Sequence, residues 1–349
     1  MKLEQGLRNE KEGVDVDVSR RRFLQNIGAL LLAPSVNVVK AEYPITQAEQ
    51  ELRATIERVL HIQIRYTDTP ALAERYAEYS KSSHIKQQYE GQSLLPDERV
   101  YHTQIIATAL MVYPSAMIHR MAGECFPFVV SHNINSTNGI ANEIPLAMYS
   151  GRGETARIDI NATGIKQMRD QIADADTAVR RVLHHELFHR LDLMLYGEDN
   201  PMEFSIRDTE EVAQWRALQR EHNGPPFFDV LPLSVRETIL AQLYQSTDDL
   251  TRREIILREL HGFLGDYSRE HPIEDRAEIA GLLLSDPMAV MQTAQSDALF
   301  REKVDIIKLE LWHASGGIMD EEYWEVFAQG DILRIAHYVR EREHVNKEE

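Results

Sequence analysis

Apolar residues recur at helical spacing along most of this chain. Leu52, Ile56, Val59, Leu60 and Ile64 form one stripe, which predicts a helix over 46–66. Two further stretches, about 71–90 and 97–121, also read as helical, so 46–121 is expected to be a helical N-terminal region. The pattern changes over 122–165. Pro127–Ser131 and Ala156–Ile160 are short strand-like runs. Between them Asn133, Asn135, Asn138, Gly139, Gly151 and Gly153 predict loops. Helical spacing returns with Val179, Val182, Leu183, Leu187, Phe188, Leu191 and Leu195. Asp176 or Thr177 is placed to cap that helix and Gly197 to end it. From 233 to 345 nearly every segment reads as helix. Ser234–Glu237 has the form of a capping box, and Asp286-Pro287 opens another helix. The predicted fold class is mainly α, of the α+β kind. A small sheet precedes a long apolar helix, and helical regions flank both.

Composition narrows the partners. A chain of 349 residues can bury a sizeable core. Its formal net charge of −18 argues against a nucleic-acid partner, which normally needs a basic face. The single cysteine, Cys125, excludes an intramolecular disulfide. Beyond the N-terminal segment no run of about 18 apolar residues occurs, so no internal membrane span is expected.

The N-terminal segment reads as an address. Ser19-Arg20-Arg21-Arg22-Phe23-Leu24-Gln25 resembles the twin-arginine export signal, with Gln25 where Lys is usual. A mildly apolar stretch follows from Ile27 to Val39, and Val39-Lys40-Ala41 offers a small-x-small cleavage site. The resemblance implies that the twin-arginine translocase exports the folded protein to the periplasm or the extracellular space. The expected organisation is a signal at 1–41, a helical N-terminal region at 42–121 and a catalytic domain at 122–349.

The chemistry lies in the long apolar helix, which contains His185-Glu186-Leu187-Phe188-His189. This is the His-Glu-x-x-His signature of zinc peptidases. Residues i and i+4 share a helix face, so His185 and His189 can aim two imidazole nitrogens at one ion. Glu186 stands beside them as a base for the attacking water. Two His and a Glu on an apolar helix are expensive unless they are paired or metal-bound.

A catalytic zinc needs a third protein ligand. A metzincin continuation would require Gly at 192 and His at 195, where this chain has Asp192 and Leu195. Cys125, in Gly123-Glu124-Cys125-Phe126, is a scrambled echo of the peptide deformylase ligand. Glu210 and Glu211 occupy a thermolysin-like place without the expected context. Glu274 is favoured, because Pro272 puts it near the start of a helix and Glu278 follows on the same face. Glu278 is placed to orient a histidine ligand. Asp192, one turn past His189, can accept from that ring or stand as a surface charge.

Tyr267-x6-Glu274 followed by Ala277-Glu278 resembles the second motif of gluzincins of the lethal factor and Pro-Pro endopeptidase type. The resemblance covers roughly 185–192 and 267–278 only. Asp275-Arg276 replaces the usual apolar aromatic pair, so a more solvent-facing helix is expected. The resemblance implies a zincin-like domain, one Zn²⁺ held by His185, His189 and Glu274, and a Tyr267 hydroxyl facing the reacting carbonyl. It also implies a strand that binds substrate backbone at the sheet edge, for which Arg157–Ile160 is the candidate. The expected activity is hydrolysis of peptide or protein substrates. The alternatives are a zinc amidase acting on cell-wall peptides, and a zincin-like binding module without catalysis.

Overall fold

The structure is a computed structural model. It describes residues 42–67, 87–89, 94–123, 126–136, 146–150, 156–196, 210–245, 260–330 and 332–348. The export-signal segment and Cys125 lie outside the described residues. The fold is mainly helical with a small mixed sheet. The chain divides into two compact units, Met1–Arg180 and Arg181–Glu349.

The first unit opens with α1 (Glu42–Leu60), then β1 (Ile62–Tyr66) and β2 (Gln87–Tyr89). Next come α2 (Pro96–Leu110), α3 (Ser115–Ala122), β3 (Phe126–Ser131), β4 (Ile134–Ser136), β5 (Ala147–Ser150), β6 (Arg157–Asn161) and α4 (Ala162–Gln171). Four strands form one sheet in the order β1-β3-β6-β5, and β2 pairs with β4 in another. β1–β3 and β3–β6 are parallel, with Ile64 opposite Phe128 and Val130 opposite Ile160. β5 runs antiparallel to β6.

Two expectations are corrected here. The helices expected over 46–66 and 71–90 do not run their full length, because Ile62–Tyr66 and Gln87–Tyr89 are strands. Ile62, Ile64 and Tyr66 are buried while Gln63 and Arg65 are not, which is the period of two that a half-buried strand requires. Arg157–Ile160 is not a sheet edge. β6 lies between β3 and β5, so both sides of its backbone are already in ladders. Its charged residues pair with each other inside the fold. Arg157 donates to Asp159 at 2.9 Å, and both side chains are fully buried. Ser150 of β5 also donates to Asp159.

The second unit begins within α5 (Ala175–Tyr196). It continues through α6 (Glu210–Glu221), a 3₁₀ turn at Phe228–Val230, α7 (Leu233–Gln245), α8 (Pro272–Leu283) and α9 (Pro287–Ser296). It ends with α10 (Ala298–Ala314), α11 (Glu321–Phe327) and α12 (Ile332–Glu348). α8 is its central helix and packs on α6, α9 and α10. Ala277, Ile279, Ala280 and Leu283 of α8 join Leu183, Leu187, Phe188, Phe300 and Ile307 in the core. Caps set the boundaries. At the start of α5 Asp174, and not the expected Asp176 or Thr177, accepts from the Thr177 N–H; Asp286 accepts from Ala289, and Asp297 from Phe300.

No single described helix is long and apolar enough to cross a membrane. The pair α2 and α3 reaches that length and apolarity only together, across a bend of 115°.

Candidate metal centre

α5 carries the two histidines because its apolar stripe of Val179, Leu183, Leu187, Phe188 and Leu191 is buried, which fixes the helix's rotation. His185 and His189 are buried with it. α8 carries the facing carboxylates. It starts at Pro272, whose missing N–H suits the first turn, and His271 caps it by accepting from the Ile273 N–H through Nδ1 at 3.2 Å. Glu274, Glu278 and Gly281, spaced by four and three residues, share the face turned to α5.

Three atoms converge. His185 Nε2 and His189 Nε2 lie 3.0 Å apart. Glu274 Oε2 lies 3.3 Å from the first and 3.4 Å from the second. Ligands at about 2.0–2.1 Å from a tetrahedral ion are roughly 3.3–3.4 Å from each other, so this triangle has the size of three tetrahedral corners. Glu274 Oε2 is buried and makes no hydrogen bond of good geometry. A buried carboxylate oxygen without such a bond is costly unless a cation satisfies it. His185, His189 and Glu274 are thus a group that can hold a metal ion, and the donor set fits the group that the sequence implies.

The electrostatics agree. Burial alone would depress His185, but Glu274, Glu278 and Glu186 outweigh it and push its imidazole up to about 10. Burial opposes ionisation of Glu274, yet His189 and His185 hold its carboxyl below the ordinary range. Two imidazoles ringed by three carboxylates form a place that calls for positive charge.

The outer partners are ordered as well. Glu278 Oε1 lies 3.2 Å from His185 Nδ1, on the side of the ring away from the convergence point. Its other oxygen accepts from Arg181, one turn before His185 on α5. Glu278→Gln is therefore expected to weaken metal affinity by roughly 10- to 100-fold while leaving the three converging residues in place. A competitive zinc titration reads this directly. Unchanged affinity would show that His185 needs no such support.

No protein-family model, curated protein or solved structure matches the chain. The functional reading therefore rests on the residues themselves.

Glu186 is buried beside the rings, close enough to raise both His185 and Tyr267. Tyr267 lies in the turn before α8, its ring 5.9 Å from that of His185. It is 55% exposed. Partial desolvation, then the carboxylates of Glu274, Glu186 and Glu278, hold its phenol above the ordinary value and so protonated. His184 is fully buried and outside the cluster. His261 pairs with Asp297 at 3.0 Å, and His271 is the α8 cap. Glu210 and Glu211 open α6, and their side chains lie outside the described residues.

Two sequence expectations need correction. Asp192 does not stand on the surface. It is buried, with both oxygens taken by Arg276 at 2.7 and 3.2 Å. Nor does Asp275-Arg276 turn α8 to solvent. Asp275 is fully buried and accepts from Lys303 at 2.6 Å and from Trp215 at 2.8 Å. Arg276 is buried between Asp192 and Glu310. An isolated buried charge costs several kcal/mol, so such residues are tolerated inside only as pairs.

Sequence reasoning also missed Arg181 and Gly281. A Cβ added at Gly281 would sit 2.8 Å from the Arg181 carbonyl oxygen and 3.2 Å from His185 Cβ. The backbones of α5 and α8 meet there directly behind a histidine. Gly281 seven residues past Glu274 was the available signal, since that spacing returns to the same helix face.

Proposed function

We propose that this chain is an exported zinc-dependent peptidase in which Glu186 is the general base. The observation that carries the reading is the convergence of His185 Nε2, His189 Nε2 and Glu274 Oε2 at 3.0–3.4 Å, with Glu186 alongside. Two imidazoles and one carboxylate are the donor set of catalytic zinc with one position left open. Zinc bound there would supply Lewis acidity, polarising a carbonyl and making water a competent nucleophile near neutral pH.

The chain's own groups would do the rest. His185, His189 and Glu274 would hold the ion, and Glu278 would fix the His185 ring through Nδ1. Glu186 would take a proton from the water that attacks a peptide carbonyl and deliver it to the leaving amine. The Tyr267 hydroxyl, kept protonated and partly open to solvent, would donate to the oxyanion as the carbonyl becomes tetrahedral. The presence of Glu186 beside the site supports catalysis over a pure binding role, since a binding module needs no base. The Ser19–Gln25 motif supports export through the twin-arginine translocase and residence outside the cytoplasm.

Metal analysis of the purified chain is expected to return one zinc. A mixed peptide library is expected to be cleaved, with activity lost to a chelator and restored by zinc. Cleavage that survives complete removal of metal would overturn the reading.

A further inference from the structure

Arg276 follows the ligand Glu274 by two residues and is 2% exposed. Its Nε donates to Asp192 Oδ2 at 3.2 Å and its Nη2 to Asp192 Oδ1 at 2.7 Å. The same Nη2 donates to Glu310 Oε2 of α10 at 2.8 Å. The rings of Trp215 and Phe188 lie 5.1 and 5.8 Å from the guanidinium carbon. Asp192 is three residues past His189 on α5.

α5 and α8 are thus tied together at three levels. Near Arg181 the tie is Glu278 and the bare backbone of Gly281. At His185 and His189 it is Glu274. One turn beyond, at Asp192, it is Arg276. Contacts that ascend along α5 from Arg181 to His189 descend along α8 from Glu278 to Glu274, so the two helices run antiparallel there. Along α5 the outer ties fall on either side of the two histidines, while along α8 Arg276 lies between Glu274 and Glu278, within one turn of the carboxylate that has to be placed. A helix held only at its Gly281 end keeps freedom to tilt, and tilt moves Glu274 most, because Glu274 lies in the first turn.

We propose that Arg276 is a positioning residue for the metal centre. By gripping Asp192 with both arms while anchored on Glu310, it sets the tilt of α8 against α5. That tilt determines where Glu274 Oε2 falls relative to the two imidazole nitrogens. The guanidinium suits this work, because a planar fork fixes an angle as well as a distance, which an ammonium does not. The assignment rests on the metal-binding reading above. It concerns geometry around the ion, and its readouts are independent of turnover.

The test uses the full chain and the variants Arg276→Met, Arg276→Lys and Asp192→Asn. Zinc affinity is measured by competition with a chromophoric chelator. The visible spectrum of the cobalt(II)-loaded protein reports ligand geometry. A brace that is merely structural would lower the thermal midpoint and leave both readouts of the folded protein unmoved. We expect Arg276→Met and Asp192→Asn, still folded, to bind zinc roughly 10- to 100-fold more weakly, with altered cobalt bands. Arg276→Lys is expected to recover part of the affinity. Variants that bind zinc within about twofold of the parent, a change below what an outer-partner loss produces, with the parent's cobalt spectrum, overturn the assignment. Should Arg276→Met fail to fold, Asp192→Asn, which keeps the shape and removes the charge, decides by the same criterion. A parent chain that binds neither ion sinks the metal reading itself. A parent that binds both, with unaltered variants, sinks only the role of Arg276.

Discussion

Glu186→Gln is expected to lower kcat/KM for peptide hydrolysis by roughly a hundred- to ten-thousand-fold, the usual worth of a general base. Metal content should remain that of the parent. The expectation follows from where Glu186 stands. It is buried, and near enough to His185 and Tyr267 for its charge to act on both, but it contributes no atom to the converging triangle. Glutamine keeps the shape and one acceptor oxygen, and it removes only the basicity. Parallel measurement of turnover and zinc stoichiometry separates the two roles. Full turnover in the variant would place the base elsewhere. Loss of zinc would make Glu186 part of the metal's support.

Glu274→Ala should produce the other large effect. Removing an outer partner of a ligand typically costs 10- to 100-fold in affinity, and removing a ligand should exceed about 100-fold. The fold should survive. Alanine is the best helix former, and α8 keeps its His271 cap and its Asp275 and Arg276 ties. The change leaves His185 with Glu278 at its Nδ1 and Glu186 nearby. Zinc titration with a circular-dichroism control reads the outcome. Parental affinity in a folded Glu274→Ala chain would dismiss this carboxylate as a ligand and return attention to Glu210, Glu211 and Cys125.

Local features of the site were legible in the sequence. The spacing of His185 and His189 places both rings on one face of α5, and Pro272 places Glu274 in the first turn of α8. Glu278 was readable as a partner because four residues return to the same face, and the structure sets it against His185. What escaped was whatever depends on a distant partner. Asp275 and Arg276 look like solvent residues because charge predicts exposure. Their partners Lys303, Glu310 and Asp192 are 28, 34 and 84 positions away. The edge expected at Arg157–Ile160 came from the resemblance, and its place between β3 and β5 depends on strand pairing that the local pattern does not specify. The strand at Ile62–Tyr66 was hidden because Val59, Leu60 and Ile64 fit a helical period as well as a strand's.

The close approach at Gly281 has a consequence for how an ion is captured. With so close an approach behind His185, α8 has little room to slide, and the proposed cation seat is expected to stand assembled before an ion arrives. Uptake should then demand little rearrangement, so the empty and loaded proteins should exchange amide hydrogens along α5 and α8 at similar rates. A bulkier residue at 281 would wedge the seat open from behind while leaving every donor atom chemically intact.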